Sequence, residues 1–299
     1  MNTASSSTLA PFLEEQRLLV DGELEQILPQ GGEYPSSIHQ AMRHSVFAGG
    51  KRLRPILCLE GGRLFHGDEK SLLRLGCALE MIHTYSLIHD DLPALDNDDL
   101  RRGKPTCHRV FGEATAILAG DALLTLAFEV MSEAAGSSER RMRVIHELAH
   151  AIGTIGGMVG GQVVDLETAG HAASASTLEY IHSAKTGAFL RAAVRIGAMD
   201  AGASAADLDH LGAYGEKVGL AFQIADDLLD VTSTREQLGK SVGKDDQQRK
   251  ATYPAIHGIE ESRRIAERLV QEAAEALEPY GERARRLREI AHFLIERTH

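Results

Sequence analysis

Two acidic runs, Asp90-Asp91-Leu-Pro-Ala-Leu-Asp96 and Asp226-Asp227-Leu-Leu-Asp230, are the residues of this chain whose types and spacing best suit chemistry. Each follows an apolar stretch of helical spacing. In the second run no breaker intervenes, so at about 100° per residue Gln223, Asp226, Asp227 and Asp230 share one helical stripe. In the first, Pro93 disfavours helix at Leu92, so the helix is expected to stop there and Asp96 to return on a turn. Asp90 stays in line with His83 and Ser86. A single acidic run at a helix end is ordinarily a solvated cap, but two such runs after apolar stretches are harder to assign to the surface. Carboxylates crowded in this way repel unless a cation lies among them. Hard oxygen ligands select Mg²⁺ or Mn²⁺ over softer metals, and Mg²⁺ completes its octahedron with water and phosphate oxygens. Two facing clusters would therefore grip a diphosphate through bridging ions.

Cations suited to that polyanion lie close by in the sequence. Gly49-Gly50-Lys51-Arg52-Leu53-Arg54-Pro55 opens a helix at a glycine turn, and Arg101 and Arg102 follow the first acidic run. Arginine forks and helix starts are good donors to phosphate oxygens. Lys185, Lys240 and Lys250 add point charges.

The elements that must carry these residues read as helices. Leu72, Leu75, Ala78, Leu79 and Ile82, and again Ile265, Leu269, Ala273 and Leu277, recur three or four apart. Long alternating β-branched runs closed by Asn-Gly or Asp-Gly are absent, so the expected fold class is all-α. Breakers fall near 29–35, 49–50, 67–68, 93, 103–105, 136–138, 169–176 and 232–244, and none is a long linker. A single domain over 1–299 is expected, with 1–10 a frayed end lacking the basic start and apolar run of a secretory leader. Gly153, Gly156, Gly157, Gly160 and Gly161 are expected along one helix face, where a second backbone could approach closely.

A formal charge of −11 argues against nucleic acid as a partner, since a phosphate backbone needs a basic face. The longest uncharged stretch, Ala151 to Val164, is too short for a bilayer, so no membrane span is expected. Cys58, Cys77 and Cys107 are odd in number and lack CxxC spacing, which points to reduced thiols and a cytoplasmic protein. Three other motifs compete. His146-Glu147-Leu-Ala-His150 is a literal HExxH, yet its apolar stripe of Met142, Ile145, Leu148, Ala149 and Ile152 reads as an ordinary amphipathic helix. Glu80 with His83 and Glu147 with His150 form ExxH pairs of the kind used by di-iron bundles. Gly239-Lys240-Ser241 ends like a phosphate loop, but Thr234 replaces the glycine that such a loop needs.

From about Ser37 to the C-terminus the chain resembles the trans-prenyl diphosphate synthases, most closely the bacterial short-chain farnesyl diphosphate synthases. The likeness is carried by GGKRLRP at 49–55, IHTYSLIHDDLPALDNDDLRRGKPTCH at 82–108, LAGDALLTLAF at 118–128, KTGA at 185–188, GLAFQIADDLLD at 219–230 and KATYP at 250–254. It implies a bundle of about ten core helices around a central cavity, often dimeric, so a homodimer is expected. It also implies that Asp90, Asp91, Asp96, Asp226, Asp227 and Asp230 hold up to three Mg²⁺ ions. Lys51, Arg54, His83 and Arg102 would hold isopentenyl diphosphate. Arg101, Lys185, Lys240 and Lys250 would hold the allylic substrate, dimethylallyl or geranyl diphosphate, with Thr186 and Gln223 beside the developing cation.

The implied product is farnesyl diphosphate, with geranyl or geranylgeranyl diphosphate as the alternative ends. Residues four and five before the first aspartate form the cavity floor in the family, here Ser86 and Tyr85, and an aromatic at 85 resembles enzymes that stop at fifteen carbons. A terpene cyclase would normally lack the second diphosphate pocket at 49–55. A non-catalytic partner subunit would usually have lost one acidic cluster.

Overall fold

A computed structural model describes residues 3–134, 136–170, 173–232 and 252–296. The helices are α1 (Thr3–Ile27), α2 (Ser36–Val46), α3 (Leu53–Arg63), α4 (Glu69–Asp90), α5 (Cys107–Phe111), α6 (Glu113–Ser132), α7 (Ser138–Ile152) and α8 (Met158–Thr168). They continue as α9 (Ala175–His182), a π-helical turn (Ser183–Gly187), α10 (Ala188–Asp200) and α11 (Ala205–Thr232). Beyond residue 251 come α12 (Tyr253–His257), α13 (Ile259–Ala276), a 3-10 segment (Glu278–Ala284) and α14 (Arg285–Glu296). The all-α expectation holds.

Local sequence accounts for the helices that carry the site. Asp68 caps α4 by accepting from the Ser71 N–H at 2.8 Å, with Glu69 in the first turn to meet the helix dipole. Leu72, Leu75, Ala78, Leu79 and Ile82, the periodic residues of the sequence, are fully buried along it. Helix α10 is buried nearly all round, from Phe189 to Asp200. It therefore runs through the centre, packed on α3, α4, α7 and α11. Helix α4 also packs on α3 and α6, and α11 on α13, which sets the two acidic helices on either side of the α10 layer.

The structure departs from the sequence reading at four places. Helix α4 ends at Asp90 rather than at Leu92. A two-stranded antiparallel hairpin, β1 (Leu100–Arg101) with β2 (Lys104–Pro105), follows the first acidic run. Its turn residues Arg102 and Gly103 both have positive φ, 54° and 74°, the geometry of a two-residue I′ turn with arginine where asparagine is usual. The glycine stripe is not one helix face, because α7 stops at Ile152 and α8 begins only after the Gly157 cap. Finally, α6 is long and apolar enough to cross a membrane, contrary to the expectation of no such segment. In the structure it packs against α4, α2, α5 and α7.

Leu79→Ala removes a fully buried side chain from the α4 seam and is expected to cost about 2–5 kcal/mol in urea unfolding. A loss below about 1 kcal/mol would contradict this packing.

Candidate active site

The first acidic run folds back on itself at the end of α4. The Asp96 N–H donates to the Asp90 carbonyl at 2.8 Å, Asn97 to Leu92 at 3.1 Å and Asp98 to Asp91 at 3.1 Å. Pro93 lies three residues beyond the last helical residue, Asp90, and Asn97 takes the left-handed φ of 50° that closes the loop. Burial, with repulsion from Asp96 and Asp91, pushes the Asp90 carboxyl up to about 6, although Lys185 and Arg101 pull the other way. Asp91 is buried and held by Arg101, whose Nε donates to Oδ1 at 2.8 Å and whose Nη2 lies 2.6 Å from the same oxygen.

The hairpin aims two adjacent arginines differently. Arg101 turns to Asp91, whereas Arg102 donates to the Gly49 carbonyl. Gly50 makes that possible, since a Cβ there would overlap the Arg102 guanidinium. Lys104 Nζ donates to the Phe47 carbonyl at 3.1 Å and docks the hairpin beside the start of α3. On that helix Arg54 is buried with its guanidinium 4.8 Å over the Phe189 ring, and its Nε has no hydrogen-bond partner. Burial pulls its pKa down to about 10, with Arg102 adding to the fall while Glu80 and Asp226 oppose it. A buried guanidinium with one N–H unmatched, close enough to a second cation for its charge to be felt, suits an anion. Lys51 lies 5.8 Å over the Phe293 ring of α14. His83, one helical face along from Asp90, is held well below the usual histidine range by burial and by Arg54, Arg102 and Arg101, so it is neutral.

The second run lies on unbroken α11 with Gln223, as its spacing requires. Its carboxylates face different neighbours. Asp226 acts electrostatically on Arg54 of α3. Asp227 Oδ2 accepts from the Tyr253 N–H at 2.9 Å and lies 3.6 Å from His182 Nε2. Lys185 and Thr186 occupy the π turn, a feature common at functional sites. Lys185 Nζ donates to Asp165 Oδ2 of α8 at 2.7 Å. Gly161 of α8 is the member of the glycine run that does allow close approach, because a Cβ there would overlap the Lys185 backbone. Asp226 acts on Arg54, Arg54 on His83, and Arg101 on both His83 and Asp90. Lys185, on the turn packed against α11, acts on Asp90 of α4, so charges from both acidic helices reach a common group of cations.

Lys240 and Lys250 lie outside the described residues. Gln162 and Asp165, three apart on α8, escaped the sequence reading; Gln162 Oε1 is buried without a partner and Asp165 anchors Lys185. Their signal was a short Gln-x-x-Asp spacing inside the glycine run. Glu80, the acid of one ExxH pair, accepts from Arg52 Nη1 at 2.8 Å. In the HExxH run, Glu147 is engaged by Arg195 Nε at 2.5 Å, and the two histidine rings stack parallel at 6.5 Å. A separate cleft of about 630 Å³, lined by His150, Tyr180, Arg191, Lys217 and Glu272 among others, contains none of the acidic-cluster residues.

Among the described residues no three acidic, histidine or cysteine side chains are gathered into a ready-made metal site, yet the six aspartates offer the hard oxygens that Mg²⁺ or Mn²⁺ takes, and a carboxyl raised by burial and by like charges gains from a nearby cation. An all-helical bundle with two acid clusters that reach a common group of cations defines a class of enzymes acting on diphosphate esters. Residues 35–287 match the Polyprenyl synthetase family, and the chain belongs to that family. It is 50% identical over 300 residues to a dimethylallyltranstransferase of Fischerella ambigua, covering 99% of this chain and 86% of that one. It is 48% identical to a geranylgeranyl diphosphate synthase of Cyanophora paradoxa, covering 97% of each. An FPP/GFPP synthase structure from Zymomonas mobilis superposes with a TM-score of 0.87 at 39% identity, covering 97% of this chain and 99% of that one. The chain is a prenyltransferase with the all-α isoprenyl synthase fold.

Because Asp90 must lose its proton to ligate a cation, divalent-ion binding is expected to weaken as pH falls through about 6 and to release protons there. Calorimetry in buffers of different ionisation enthalpy measures both, and pH-independent affinity between 5 and 7 would contradict the assignment.

Proposed function

We propose that the chain condenses isopentenyl diphosphate with allylic diphosphates, dimethylallyl and geranyl diphosphate among them, and carries elongation to geranylgeranyl diphosphate. The observation that carries the reaction class is the match of residues 35–287 to the Polyprenyl synthetase family, with the electrostatic coupling of Asp226 to Arg54 and of Lys185 and Arg101 to Asp90 in support. The twenty-carbon end rests on the relative of that name, which matches over 97% of both chains.

In this reading Asp90, Asp91, Asp96, Asp226, Asp227 and Asp230 hold Mg²⁺, or Mn²⁺ in its place, directly or through water. When bound, up to three such ions draw charge from the departing diphosphate. Lys185 has three donors and keeps Asp165 while giving another to the allylic diphosphate. Arg101, already braced on Asp91, adds a charged donor to the same group. Lys51, Arg54, Arg102 and neutral His83 receive the isopentenyl diphosphate. Thr186 and Gln223 lie beside the allylic cation, and the apolar walls keep water from it. The alkene of isopentenyl diphosphate then forms the new carbon–carbon bond, and the proton lost goes to the released diphosphate. No side-chain nucleophile is needed.

One observation favours a second reading, farnesyl diphosphate as the end product. Tyr85, five residues before Asp90, is buried on α4 with its ring edge-on to His89 at 5.7 Å, while Ser86 turns its hydroxyl to the His83 carbonyl. A fixed aromatic there shortens the space left for the growing chain. A homodimer is also proposed, supported by the apolar outer face of α6, where Ile117 and Leu118 are 44% and 58% exposed. A single-domain organisation is supported by one family match over 35–287, and a cytoplasmic location by three buried free cysteines.

Dimethylallyl diphosphate and labelled isopentenyl diphosphate with Mg²⁺ test both readings. Turnover is expected, falling about 100-fold or more in Asp90→Ala and in Asp226→Ala; no turnover in the unmodified chain would refute the synthase. A twenty-carbon product supports the first reading. A fifteen-carbon product that lengthens in Tyr85→Ala establishes the second.

A further inference from the structure

Arg52 stands between the two cations assigned to the isopentenyl diphosphate, Lys51 and Arg54, yet its own side chain turns the other way. It is 2% exposed, and each of its nitrogens is engaged. Nε donates to Asp21 Oδ1 of α1 at 2.7 Å, Nη1 to Glu80 Oε1 of α4 at 2.8 Å, and Nη2 to the Val46 carbonyl at the end of α2 at 2.7 Å. Three helices are thus tied to one guanidinium.

The backbone explains why such a tie is needed. Arg52 caps α3 in the left-handed region, φ 52° and ψ 36°, which costs an L-residue with a Cβ. Something must offset that strain, and the three charge-assisted or carbonyl bonds do so. Arg52 is then committed to the bundle interior. Its neighbours diverge from it: Lys51 lies over Phe293 of α14, and Arg54 over Phe189 of α10. Glu80 serves the same cluster at longer range, since its negative charge counters the burial that pulls the Arg54 and Arg102 guanidinium pKa values down.

We propose that Asp21 and Glu80, acting through Arg52, are positioning residues for the isopentenyl diphosphate pocket: they clamp the left-handed turn from which Lys51 and Arg54 reach the diphosphate. The inference rests on the assignment of Lys51 and Arg54 made under the proposed function. It makes α1 part of the site, although Asp21 lies outside the 35–287 match to the family. Asp21 is held ready by a second partner on its own helix, Arg17 Nη1 at 2.5 Å from Oδ2.

Steady-state kinetics with each substrate varied in turn test the clamp. Glu80 is buried, and its loss endangers folding, so Asp21 carries the experiment. Asp21→Asn is expected to raise the KM for isopentenyl diphosphate roughly tenfold, the scale of one weakened charged hydrogen bond. The KM for the allylic substrate and kcat should stay within about twofold, and Asp21→Glu should recover most of the loss. Lys51→Ala is the control for the pocket itself. If it leaves the isopentenyl KM unchanged, the pocket assignment fails and the clamp with it. If it raises that KM while Asp21→Asn lowers only the melting temperature or kcat, moves both KM values together, or moves neither, the pocket stands and the clamp is overturned.

Discussion

Everything at the centre of this protein answers to one electrostatic constraint: Asp90 is buried beside Asp91 and Asp96 at the end of a helix, where its charged form is disfavoured. Such a group is tolerable only if cations reach it. The fold supplies Lys185 from the π turn before α10 and Arg101 from the hairpin after α4. Neither suffices to bring the carboxyl back to its usual range, and that residual deficit is what a divalent ion would fill. The opposite deficit exists at Arg54, which is buried without a partner for Nε and feels the charge of Arg102. An acid cluster that still disfavours its own charge and an arginine with one unmatched N–H suit a ligand that brings phosphate and metal together.

Rigid elements hold these deficits open. Left free, the arginines would collapse onto the aspartates and neutralise the site. Instead Arg101 is forked on Asp91, Arg102 is bonded to the Gly49 carbonyl, and Arg54 is seated on the Phe189 ring. Each cation is braced by a group that cannot follow it elsewhere, so little reorganisation remains when substrate arrives. The central position of α10 matters for the same reason: one helix carries Phe189, on which Arg54 is seated, and continues the turn that carries Lys185.

Sequence periodicity located the helices well because their buried stripes are long and regular, as α4 and α13 illustrate. It located the acidic clusters because two Asp-rich runs after apolar helices are a rare spacing. It failed where short-range chemistry overrode pattern. The hairpin was missed because Arg102-Gly103 takes a turn usually written Asn-Gly, and the glycine run was taken for one helix because spacing alone cannot show a chain break between Gly153 and Gly157. The roles of Glu80 and Asp165 were not legible because they depend on partners distant in sequence: Arg52 for Glu80, Lys185 for Asp165.

Anomalous diffraction from crystals grown with Mn²⁺ and inorganic diphosphate tests the central idea most directly. The account predicts metal peaks within ligand distance of Asp90 on α4 and of Asp226 on α11, joined by one diphosphate that also contacts Lys185. Peaks confined to one cluster, with the other facing bulk solvent, would contradict it.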